Sequence, residues 1–212
     1  MLNLAVVILL SYVVGSIPTG IMLSKWIHGF DIRTKGSGNA GGTNVFRVLG
    51  AGPGIFVMLF DVFKGFAATF WLYKIGGDLL SPEQKGLLML LAGCAAIAGH
   101  IWTIFAGFRG GKGVGTAAGM LLALFPKALL VCLVVFIVML AITRIVSVSS
   151  MSAAVALPIT LTVFRSLLHC EVPTSLYVFS FFAAALIIFT HRSNIKRLLN
   201  GTENRVGKKR HD

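Results

Sequence analysis

The sequence predicts an all-α polytopic integral membrane protein, and three observations predict it. Of 212 residues, 56% are hydrophobic and only 12% are charged, so the chain lacks the polar surface that a soluble domain needs. The mean hydropathy of the chain is +0.87, and its apolar residues gather into runs close to the roughly 20 residues that cross a bilayer as a helix. The cations, finally, collect between alternate runs, as the positive-inside rule requires.

The first run, 2–23, has no preceding Lys or Arg and is as long as a span, so it reads as a retained helix and not a cleavable leader. Runs 52–73 and 86–106 supply the second and third helices. The stretch 114–143 is long for one crossing and short for two. Pro126 and Lys127 stand in its middle, where proline disrupts helical hydrogen bonding and a lysine is costly in hydrocarbon, so it divides into two short crossings joined by an outer turn. Runs 151–168 and 174–190 complete a set of seven.

Seven crossings sort the charge. The segments after odd-numbered helices hold Lys25, Arg33, Lys35, Arg47, Arg109, Lys112, Arg144 and the basic residues from Arg192 to Arg210, which is 14 of the 19 cations. The opposite side holds Lys74, Lys85, Lys127 and Arg165. The amino terminus is therefore expected outside and the carboxyl terminus in the cytoplasm. Merging 114–143 into one span would put Arg144 and the basic tail outside, against the rule. The expected organisation is one transmembrane domain over residues 1–200 and a basic tail over 201–212.

The net charge of +12 lies mostly on one membrane face, which suits anionic lipid headgroups and anionic substrates. No aromatic-basic platform for nucleic acid is present. Cys94, Cys132 and Cys170 are odd in number and scattered, so neither a disulfide framework nor a zinc site is indicated.

Four polar segments carry the chemistry, and all follow odd-numbered helices. The first, 35–47, interleaves glycines with Ser37, Asn39, Thr43, Asn44 and Arg47. Glycines permit φ > 0 and close backbone approach, and with an Arg they make a phosphate cradle; a flexible linker would not need those polar residues. The second runs Arg109-Gly110-Gly111-Lys112-Gly113 and opens a helix, where backbone N–H groups and the helix dipole favour an anion. It is not a nucleotide P-loop, since Ala106 stands six residues before Lys112 and Gly113 follows it. The third, beginning at Arg144, contains Ser147, Ser149 and Ser150, whose expected role is to cap the sixth helix. In the fourth, His191 and Asn194 stand three apart on one helix face, with Glu203 downstream.

Asp61 and Lys64 lie within the second helix at i, i+3 and are expected to pair with each other; His100 is expected to hydrogen-bond beneath the second loop. The acidic residues contain no pair spaced as metal ligands on this face, so no metal or cofactor is expected. No His-x4-Asp dyad and no nucleophile elbow is present either.

Taken together, Gly36-Ser37-Gly38-Asn39-x-Gly41-x-Thr43-Asn44, Gly99-His100-Ile101-Trp102 leading to Gly110-Gly111-Lys112-Gly113, Ser147, and His191-x-x-Asn194-Ile195-x-Arg197-Leu198 with Glu203 resemble the bacterial acyl-phosphate glycerol-3-phosphate acyltransferases, the PlsY family. Ala40, Gly42, Thr103 and Arg109 depart from the residues common in that family. The resemblance implies transfer of an acyl group from acyl phosphate to the 1-hydroxyl of glycerol 3-phosphate at the cytoplasmic face of a bacterial inner membrane. It implies that Ser37, Gly38, Asn39, Thr43, Asn44, Arg47, Gly110, Gly111 and Gly113 hold phosphate. Lys112 would neutralise developing charge, while Ser147, His191 and Asn194 orient the acceptor or polarise the carbonyl. The base is then either His191 or a substrate phosphate. Asp61, Lys64, His100 and Glu203 would be structural, and the protein a monomer among membrane lipids. An organic-anion transporter is the alternative, although the chain shows neither a repeat nor a polar midplane beyond Asp61 and Lys64.

Overall fold

A computed structural model describes residues 2–76 and 81–207, and the described residues are helices joined by turns, in two compact units. The first, Met1–Phe125, contains α1 (Leu2–Gly15), α2 (Thr19–His28), α3 (Gly42–Leu49), α4 (Ala51–Phe70), α5 (Pro82–Ile101) and α6 (Val114–Leu124). The second, Pro126–Asp212, contains α7 (Pro126–Thr143), α8 (Val146–Ser166), α9 (Thr174–Thr190) and α10 (Arg192–Leu199).

The run at 2–23, expected as one helix, is interrupted at residues 16–18. Pro18 has no N–H to give the preceding turn, and its ring crowds the residues before it. Lys64 Nζ donates to the carbonyl of Ile17 in this break (3.1 Å). The second correction lies in the glycine-rich segment, whose latter half is α3 and not loop. Gly41 is its N-cap in extended conformation, and Val45 packs with Ile21, Ile32, Ala40 and Val57 in a core cluster. That apolar stripe gives the short helix a buried face, while Phe46 and Arg47 remain exposed.

The division of 114–143 falls where Pro126 dictates. Phe125 caps α6, and Pro126 opens α7, a position at which its missing N–H costs nothing. Among the described residues, five helical spans are long and apolar enough to cross a membrane, and α9 with α10, bent by 57°, makes up to six. The eleven residues of α6 rise about 16 Å, roughly half the hydrocarbon thickness.

Small residues set the helix spacing in the first unit. A Cβ at Gly65 would run into the carbonyl oxygen of Thr116, and one at Gly119 into that of Val62, so α4 and α6 touch backbone to backbone. Gly15 faces Ala96, and Gly99 faces the carbonyl of Tyr12, in the same way between α1 and α5. In lipid, where apolar side chains gain nothing from leaving water, such close packing drives association. Gly65→Ala is therefore expected to destabilise by about 1–3 kcal/mol through overpacking. Gly52→Ala, which meets nothing within 4 Å, serves as the neutral control. Thermal unfolding in detergent checks the pair; equal melting temperatures would contradict the close packing.

Candidate active site

In the first unit, the loop between α2 and α3 is built around two side chains. Asp31 Oδ1 accepts from the N–H of Arg33 (3.0 Å), capping a short 3-10 turn at Ile32–Thr34. The Arg33 guanidinium pairs with the same carboxylate (2.7 Å) and extends Nη1 to the carbonyls of Ala106 (2.8 Å) and Arg109 (3.0 Å). Hydrogen bonding from Arg33 holds the Asp31 carboxyl below its ordinary range. Arg33 thus fastens the first loop to the second, a role the sequence reading did not assign. The only local signal is the Asp31-x-Arg33 spacing.

Asn44, at 2% exposure, is the second organiser. Its Oδ1 accepts from the N–H of Ser37 (2.7 Å), while Nδ2 donates to the carbonyls of Ile32, Lys35 and Asn39 (2.9–3.1 Å). The amide of Asn44, expected to hold phosphate, is here committed to the loop's own backbone. Gly36, at φ 59° with Asn44 Oδ1 where a Cβ would be, has to be glycine. The expected open nest of amides is partly closed: Gly38 N–H reaches the carbonyl of Lys35 (3.1 Å), and Asn39 Oδ1 takes the N–H of Gly41 (2.8 Å). The segment also carries side chains whose types suit an anion, the half-buried hydroxyls of Ser37 and Thr43 and the guanidinium of Arg47.

The second loop folds back on the end of α5. Gly110 N–H donates to Ile101 (2.9 Å) and Gly111 N–H to His100 (3.0 Å), satisfying helix-terminal carbonyls. A Cβ at Gly110 would meet the carbonyl of His100, and one at Gly111 would meet the His100 ring at Nε2. Gly113, at φ 85°, caps α6, so the half-buried Lys112 stands just ahead of a helix amino terminus, as expected. Below lie the groups expected within the second and third helices. Lys64 Nζ is 3.0 Å from Asp61 Oδ1, and His100 Nδ1 is 3.3 Å from the same oxygen.

In the second unit, Glu203 is the hub. Residues 201–206, at the start of the expected tail, turn back after α10 with Gly201 at φ 68°, and Val206 N–H donates to the carbonyl of Arg144 (2.7 Å). Glu203 Oε1 then accepts from Ser147 Oγ (3.1 Å) and Asn194 Nδ2 (2.7 Å), and Oε2 accepts from Arg197 Nε (2.7 Å). Ser147 and Asn194, each 4% exposed, are brought together by this carboxylate. The expectation that the serines cap the sixth helix is corrected: α8 starts at Val146 with Ile145 as N-cap and no side-chain cap. Ser149 instead bonds back to the Ile145 carbonyl.

His191 sits at the bend between α9 and α10, not on a continuous helix. Its Nδ1 is 2.7 Å from the carbonyl of Ile187. A carbonyl only accepts, so Nδ1 carries the proton, and in the neutral ring Nε2 is the acceptor nitrogen. Asn194 N–H donates to the His191 carbonyl (2.8 Å), fixing the two residues relative to each other. The basic residues Lys208, Lys209 and Arg210 lie outside the described residues.

Helices and loops together define the class: an all-helical integral membrane protein in which two glycine-rich cationic loops overlie a buried ionic cluster. A family model for glycerol-3-phosphate acyltransferase matches residues 5–201, and the chain belongs to that family. The glycerol-3-phosphate acyltransferase of Chlorobium limicola is 43% identical over 231 aligned residues, covering 97% of both chains. The crystal structure of PlsY, an integral membrane glycerol 3-phosphate acyltransferase, in its glycerol 3-phosphate form matches with a TM-score of 0.84 at 33% identity, over 96% of each chain. Its lysophosphatidic acid form matches with a TM-score of 0.79 at 32% identity, over 96% of this chain and 95% of that one.

Proposed function

We propose that this protein transfers a fatty acyl group from acyl phosphate to the 1-hydroxyl of glycerol 3-phosphate, releasing lysophosphatidic acid and inorganic phosphate. The observation that carries this reading is the end-to-end likeness to a protein solved in two forms, glycerol 3-phosphate and lysophosphatidic acid, which differ by one acyl group. Donor and acceptor both carry phosphate, which accounts for two cationic loops in one chain. The protein acts as a monomer, with the loops on the cytoplasmic face of a bacterial inner membrane and the amino terminus outside.

The acceptor hydroxyl oxygen attacks the acyl carbonyl carbon, the carbon–oxygen bond to phosphate breaks, and phosphate leaves with the bonding pair. An acyl phosphate is already activated, so no covalent enzyme intermediate is needed. Ser37, Thr43 and Arg47, with Lys112 and the amides opening α6, hold phosphate and neutralise the charge that grows on the leaving group. Ser147 and Asn194, fixed by Glu203, orient the acceptor. The hydroxyl proton goes to His191 Nε2 or to a substrate phosphate whose second pKa is about 6.

Purified protein given only acyl phosphate and glycerol 3-phosphate is expected to release phosphate; absence of release overturns the proposal. A carrier of the same anions would move substrate without releasing phosphate. His191→Gln separates the two bases. Turnover is expected to fall about 10²–10⁴-fold if the imidazole is the base, and near-normal turnover assigns the proton to substrate.

A further inference from the structure

Beneath the two loops of the first unit lies a buried charge cluster that the proposed acyl transfer does not use. Asp61, Lys64 and His100 are 6%, 2% and 8% exposed. Lys64 Nζ and His100 Nδ1 converge on one oxygen of Asp61 at 3.0 and 3.3 Å. Taking such charges out of water costs about as much as their attraction returns, and a well-packed apolar pair of similar volume commonly serves stability as well or better. Stability alone is therefore a poor account of them, and what they touch is a better one.

On one side Lys64 donates to the carbonyl of Ile17 at the break before α2, the ten-residue helix whose far end opens into the first loop. Thr103 Oγ1 donates to Ser16 in that same break, from the segment that leads into the second loop. On the other side the His100 ring lies against Gly111, whose lack of a Cβ leaves room for Nε2, and the His100 carbonyl accepts the Gly111 N–H (3.0 Å). One small cavity has Lys64, Asp61 and His100 in its wall together with Ala40 of the first loop and Gly110 and Gly111 of the second. The cluster therefore reaches the footing of both loops at once, while Arg33 links them separately.

The geometry points to a positioning role. Asp61, Lys64 and His100 form a buried strut that sets the separation of the two loops, and so tunes the binding of both phosphorylated substrates together. These residues touch neither substrate. The inference rests on the acyltransferase reading, and wild-type protein, assayed alongside for phosphate release, reports on that reading by itself.

The test is the double variant Asp61→Asn with Lys64→Met, which removes the carboxylate and the ammonium together. The KM values for acyl phosphate and for glycerol 3-phosphate are expected to rise in parallel, each about ten- to a hundredfold, since misplacements of about 1 Å far from the chemistry have effects of that size. A cluster that only held the fold together would lower the active fraction, hence apparent kcat, and leave both KM values in place. Unchanged KM values, or a rise in only one, would overturn the proposal. His100→Gln carries the same expectation and decides the matter if the double variant does not fold. Failure of both variants to fold would assign the cluster to folding and overturn the strut.

Discussion

Lys112→Met is expected to lower turnover about 10²–10³-fold at saturating concentrations of both substrates, the usual consequence of deleting one preorganised group that stabilises transition-state charge. Lys112 stands between Gly111 and Gly113, half-buried, immediately before α6. In the proposed reaction an acyl phosphate breaking its carbon–oxygen bond places negative charge on departing phosphate, which a lysine next to a helix amino terminus suits by its charge. Methionine keeps the length and apolar stem of the side chain and removes the charge with its three donors. Lys112→Arg keeps the charge but replaces a compact ammonium with a wider planar fork, and intermediate turnover is expected. Phosphate release checks both, with melting temperature as the control. A Lys112→Met enzyme retaining a tenth or more of wild-type turnover would remove this residue from the chemistry.

Glu203→Gln is the second large effect, and it acts through structure. The carboxylate, whose side chain is 6% exposed, accepts from Ser147, Asn194 and Arg197. Glutamine replaces one accepting oxygen with a donating NH₂ that faces donors already in place, and it leaves the Arg197 cation without its partner. Breaking a buried pair by removing one member costs about 3–5 kcal/mol, and the partly exposed Arg197 argues for the lower end. A marked drop in melting temperature in detergent is expected, together with loss of turnover, because Ser147 and Asn194 lose the group that holds them. Glu203→Asp retains the charge on a shorter stem and is expected to fall between. A Glu203→Gln protein with wild-type melting would show that the second unit does not depend on this hub.

These two residues differ in how they could be read. Lys112 announces itself locally, since glycines flank a cation at the start of an apolar helix. Glu203 does not. Its link to Ser147 spans 56 residues, and nothing in the local pattern around Glu203 names the serine. The same holds for Arg33, whose reach to Ala106 crosses 73 residues, and for Asn44, whose residue type suits a phosphate site and whose amide binds the loop's own backbone. An amide that can hold phosphate can equally hold three backbone carbonyls, and only the path of the chain decides which.

What the sequence by itself determined is everything that depends on composition and on contacts within a turn or two of helix: the membrane class, the apolar segments, the division at Pro126, the ion pair at i, i+3 between Asp61 and Lys64. Those follow from transfer of apolar surface into lipid and from helical spacing, both local properties. What tertiary structure alone decided is which polar groups are spent on the protein itself. It made the end of the glycine segment a helix, and turned the chain at Gly201 so that a distant carboxylate lies under Ser147. The reason is physical. Buried donors and acceptors must find partners, and those partners are set by how segments far apart along the chain come to lie together.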